Sequence, residues 1–153
     1  MGSAMRSACL AVLALMLPVM CQAQHDGFGL GLIVGEPTGI SLKQWTGSRT
    51  AFAFGFAWSF ADDAALHIHG DYLFHSVHFA GERHERSPFY YGLGIRLKAE
   101  EDDTWLGLRV PLGVAFFLND APLDFFVEVA PLMDLVPETE FRANAALGVR
   151  YYF

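Results

Sequence analysis

Cysteine is almost missing from the 153 residues, and the two that occur, Cys9 and Cys21, both fall in the first two dozen. The remainder therefore carries neither a disulfide nor thiol chemistry. Past that same segment no apolar run reaches the length of a membrane-spanning helix, although 53% of the residues are hydrophobic and 14% aromatic. Positive charge is also scarce. Lys and Arg number 10 against 17 Asp and Glu, a formal net charge of −7, with no basic cluster. Such a chain is a poor candidate for binding nucleic acid. Heptads, low-complexity tracts and linkers are missing too, and the length suits one domain. High apolarity without a helical span is what a membrane β-barrel gives, because its lipid-facing residues occupy every second position.

What is present begins with an export signal. Arg6 precedes the apolar stretch Ala8 to Met20, and Cys21-Gln22-Ala23 offers small residues before a cleavage site at Gln24. Residues 1–23 are expected to be a signal peptide, with Met5 an alternative start, and residues 24–153 the exported domain. Acylation of Cys21 is the alternative, disfavoured by the bulky Met20 before it. Loss of this segment removes Arg6 and no acid, leaving the exported part more acidic.

From Gly27 onward the period is two, and it defines eight expected strands. They span Gly27 to Gly35, Thr38 to Thr46, Thr50 to Phe60, Ala64 to His75, Pro88 to Lys98, Thr104 to Leu118, Pro122 to Asp134 and Phe141 to Phe153. The third is the plainest: Phe52, Phe54, Phe56, Trp58 and Phe60 share one face, and Ala51, Ala53, Gly55 and Ala57 the other. In a soluble sandwich the face opposite the large residues would be polar. Here it is tiny, which suits the crowded interior of a narrow barrel. The fold class is therefore all-β, an eight-stranded antiparallel up-and-down transmembrane barrel, which closes without an exposed edge. Phe56 is expected opposite Gly70 across the Asp62-Asp63 turn. Pro111 and Pro131 lie inside strands and cannot donate to a ladder, so a local distortion is expected at each.

The inward faces hold the candidate chemistry. Lys43, Arg96, Arg109, Arg142 and Arg150 would meet Asp71, Asp124 and Glu128 as a charge network filling the interior; a narrow ion path is the alternative. His67 and His69 share a face with Asp71 and His75, and a His-x-His pair can hold zinc if a third ligand is near. Histidines paired to carboxylates are the plainer alternative. The connection Ser76–Ser87 is the longest, and carries His78 and His84. Ser76 with His78 and the nearby Glu82 and Glu85 is the only grouping that suggests a lipid-modifying enzyme. A polar interfacial loop accounts for them as well. No catalytic residue and no cofactor is expected. Trp45, Trp58, Trp105, Tyr90, Tyr91, Tyr151 and Tyr152 lie near strand ends, as girdle residues at two bilayer interfaces would.

Six segments carry a family resemblance: residues 35–43 (GEPTGISLK), 71–75 (DYLFH), 90–94 (YYGLG), 109–113 (RVPLG), 136–141 (VPETEF) and 148–153 (GVRYYF). They resemble a family of small outer-membrane β-barrels of unknown function from spirochaetes and other Gram-negative bacteria. The resemblance implies an eight-stranded barrel of the OmpA type, inserted by the β-barrel assembly machinery, which reads a C-terminal aromatic such as Phe153. It brings no catalytic residues. With Phe153 at the periplasmic side, the Ser76–Ser87 connection would be periplasmic. The short acidic turns around Glu36-Pro37, Asp62-Asp63, Glu101-Asp102 and Glu138-Thr139 would face outward. The expected role is structural or interactive, in the outer membrane, with membrane lipid and an envelope or surface protein as partners. The rivals are the lipid-modifying enzyme and a soluble periplasmic barrel binding an apolar ligand, which would turn its large apolar residues inward.

Overall fold

Alternation at this density dictates extended chain. The computed structural model, which describes residues 27–35, 38–59, 65–76, 89–118 and 120–153, is antiparallel sheet throughout. Nine strands occur among the described residues: β1 (Phe28–Gly35), β2 (Thr38–Trp45), β3 (Thr50–Ser59), β4 (Ala65–His75), β5 (Phe89–Ala99), β6 (Thr104–Arg109), β7 (Leu112–Phe117), β8 (Leu123–Val136) and β9 (Glu140–Tyr152). Residues 1–26, with the expected signal peptide, lie outside the described residues, as do Glu36-Pro37, Asp62-Asp63 and most of the Ser76–Ser87 connection.

Sequence neighbours pair throughout except β6 with β7, and β1 pairs with β9, so the hydrogen bonding closes on itself as a ring. The ninth strand comes from the expected stretch Thr104 to Leu118, which is broken at Val110-Pro111 into β6 and β7. Both halves pair with β5 and β8 in one continuous register, so they share a single place in the ring. Pro111 accepts a bond from Gly92 N at 2.9 Å and Pro131 accepts one from Val110 N at 3.0 Å. Neither can return one, because proline has no N–H. The ladder therefore gaps at Pro111, where the ring is buried, while β8 runs through Pro131 unbroken. A separate irregularity falls between Leu106 and Gly107, where Val136 and Asp134 are the successive partners and Leu135 is skipped.

The third and fourth strands differ in register from expectation. Gly70 stands opposite Phe54, and Phe56 opposite Ile68. Every partner is therefore slid by two from the expected register, which leaves the faces unchanged. The Phe54 ring still covers Gly70, its carbons 3.3 Å from where a Cβ would lie. At the first turn Gly35 takes φ +141°, a conformation reserved to glycine, and Thr38 Oγ1 bonds back to its carbonyl at 3.0 Å.

One circuit of the ring carries a stagger of about ten residues along the strands. Allowing for it, the rim holding Phe153 is level. The opposite rim slopes, standing about five residues higher on β6, β8 and β9 than on the β1–β2 hairpin. Large apolar side chains point outward on every strand, Leu32, Phe52, Trp58, Leu93, Phe116, Val127 and Phe141 among them, while Lys43, Asp124 and Asp134 are buried within. This is the reverse of a soluble fold.

Candidate functional site

Because the side-chain period is two, every second residue of each strand enters the ring. Charged and aromatic side chains therefore converge in layers. Nearest the Phe153 rim, Lys43 of β2 reaches His75 Nε2 of β4 at 3.0 Å, with its Nζ 4.3 Å from the Trp45 ring centroid and near Tyr90 and Phe117. The His75 ring lies 4.6 Å from Trp45 and 5.3 Å from Tyr90. Beside it Asp124 of β8 accepts from Arg150 Nε at 3.0 Å and from the Tyr152 hydroxyl at 2.6 Å. Arg150 Cζ also lies over the Phe126 ring, 4.0 Å from its centroid.

In the middle layer Arg109 joins two carboxylates. It bonds Glu128 closely through Nη2, and its Nε stands 3.0 Å from Asp71 Oδ1, an ion pair without hydrogen-bond alignment. Tyr90 donates to the other Glu128 oxygen at 2.8 Å. His69 Nε2 is 3.8 Å from Asp71. A cavity of about 20 Å³ remains between His69, Arg109, Glu128 and Asn144, room for about one water. Above it Arg96 donates through the single nitrogen Nη2 to both oxygens of Asp134, at 2.6 and 2.7 Å, a charge-assisted contact between buried groups.

Seven of the eight expected network residues lie in these layers, with Glu128 partly and the others fully buried. Arg142 departs from expectation. It sits on the sloping rim with its side chain 41% exposed, pairs with Glu140 at 2.6 Å, stands 3.6 Å from Asp134 and covers Trp105. The β8–β9 hairpin outruns β1 beside it, so the expected inward position lies at the rim above the interior. His67 and His69 are inward, but Leu73 separates them from His75, which turns to Lys43. Among the described residues no three His, Cys, Asp or Glu side chains converge as metal ligands. Ser76 lies at the Phe153 rim and donates its N–H to Phe89 O at 3.1 Å; His78 and His84 are outside the described residues. Phe153 is exposed beside Tyr151.

The girdle expectation divides. Trp58, Tyr91 and Tyr151 point outward, whereas Trp45, Tyr90 and Tyr152 are buried in the interior. Position near a strand end misleads there. Parity is the better signal, since Tyr152 shares a face with Arg150, and Tyr90 with Arg96.

Compared with solved structures, the chain is similar to the N-terminal β-barrel domain of Pseudomonas aeruginosa OprF, with a TM-score of 0.57 and 11% identity over 82% of this chain and 95% of that one. No family model and no curated protein matches. At this identity the likeness concerns the fold alone, a β-barrel.

Proposed function

We propose that this chain is an outer-membrane β-barrel protein with a closed polar lumen, working without catalysis as a structural or interacting part of the envelope. The observation that carries the reading is the inversion of faces: large apolar side chains outward on all strands, buried charges inward. An apolar exterior of this extent has a solvent in lipid and none in water. The likeness to a β-barrel domain supports the same reading, as does the resemblance to the small spirochaete-type barrels. Phe153, exposed at the level rim, is available to the assembly machinery. A soluble carrier of apolar ligands is disfavoured, because the interior is lined by buried Arg, Lys and Asp, and the cavity beside His69, Arg109 and Glu128 has room for about one water.

The test is reconstitution. The purified chain is expected to partition into detergent and liposomes, to shift on gels when boiled, and to give no steady conductance in planar bilayers. Recovery as a soluble monomer would overturn the membrane reading. Steady channel currents would overturn the closed lumen.

A further inference from the structure

Among the described residues, the rim opposite Phe153 leaves one strand edge unpaired. β1 ends at Gly35, paired with Ala146, and by Thr38 the chain already runs back as β2. β9 nevertheless continues upward to Glu140, paired with β8 alone. Tyr152 N bonds Pro122 O of the β8 side at 2.7 Å, and Phe153 N bonds Phe28 O at 3.0 Å. Backbone groups alternate in an antiparallel ladder, so even-numbered residues of β9 address β8 and odd-numbered ones address the β1 side. Above the β1–β2 hairpin, the N–H and C=O of Phe141 and Ala143 thus face a side where no described strand meets them. The side chain of Phe141 is 81% exposed, the most of any large apolar residue among those described.

An edge of this kind recruits another strand, and the rim states which sort. Its described cations, Lys98 and Arg142, are each engaged by a carboxylate, Glu100 and Glu140. Glu101, Asp102, Asp103 and Glu138 stand exposed on the adjoining turns. Along β9 the odd side chains point outward and the even ones toward the mouth of the ring. A strand added beside it would continue that alternation, apolar outward next to Phe141 and basic toward the acidic mouth.

We propose that the Phe141–Ala143 edge is a docking site for an extended segment of a partner protein, alternating basic and apolar residues, added as a strand to β9. The site requires only the sloping rim and is independent of whether the lumen is closed.

The probe is a short synthetic peptide alternating lysine and valine, added to the folded chain in micelles, with amide hydrogen exchange read by NMR. Exchange at Phe141 and Ala143 is expected to slow by about tenfold, the effect of a new backbone bond worth roughly 1.4 kcal/mol. Ala143→Pro, which removes one edge donor, is expected to weaken peptide binding by a similar factor while the boiling-dependent gel shift persists. Should that variant fail to fold, an N-methylated peptide, which cannot donate to the Phe141 and Ala143 carbonyls, removes the complementary bonds of the same ladder on the unaltered protein; its docking, and with it protection of either amide, is expected to be lost. Equal binding by the N-methylated peptide, or by one alternating glutamate and valine, would overturn the proposal, as would unchanged exchange at both amides.

Discussion

Asp124 shows how a single residue carries the interior. Fully buried, it accepts from Arg150 and Tyr152, so Asp124→Asn leaves a guanidinium out of water without its counter-charge. Breaking one partner of a buried pair costs about 3–5 kcal/mol, and urea unfolding in micelles is expected to show a loss of that size. Arg142→Ala, at the exposed rim, is expected to stay within about 1 kcal/mol in the same assay. Outside the strands, Glu100 is held below the usual carboxylate range by its bond from Lys98. A depressed folded value means that this contact contributes above the ordinary glutamate pKa and is lost as pH falls through the folded one. Carbon NMR is expected to show Glu100 titrating below an unperturbed glutamate. Parity made the inward residues legible from the chain alone, Lys43 and Arg96 as surely as Asp71. Partner choice was not legible. Arg96 with Asp134 and Arg150 with Asp124 depend on registers between distant strands, which period two leaves free in steps of two.

Among the elements, β3 and β4 show that limit directly. Their faces follow from alternation, but Phe54 rather than Phe56 covers Gly70, because alternation is satisfied equally by registers that differ by two. The prolines were legible as faults in the ladder, though not as a clean division: Pro111 splits β6 from β7, while Pro131 is absorbed. Closure depends most on the β1–β9 seam, where Gly31 packs against the backbone of Val149 and Arg150. A Cβ there would press on backbone atoms that cannot swing away. Gly31→Ala is therefore expected to lose about 1–3 kcal/mol. Gly70→Ala, meeting only the movable Phe54 ring at 3.3 Å, should stay below about 1 kcal/mol. Equal losses in parallel melts would refute the seam's special standing.

At the scale of the whole molecule, the apolar exterior and polar interior were legible before any coordinates, since both follow from one periodicity applied throughout. The uneven height of the wall was not, because it arises from strand lengths and stagger taken around the full circuit. The outward apolar row climbs from Phe28 to Val34 on β1 and from Phe125 to Leu135 on β8, roughly 20 Å against roughly 34 Å of strand before tilt. On β2 it shrinks to Ile40 and Leu42, with Thr38 and Gln44 on the same face. A hydrocarbon core of about 30 Å cannot match both flanks at once. In a bilayer, lipid beside β1–β2 must shorten or the cylinder must lean toward its tall side. Under the membrane reading proposed above, the first response would place a thinned, loosely ordered strip of lipid along one flank and make the molecule a local defect in the sheet around it.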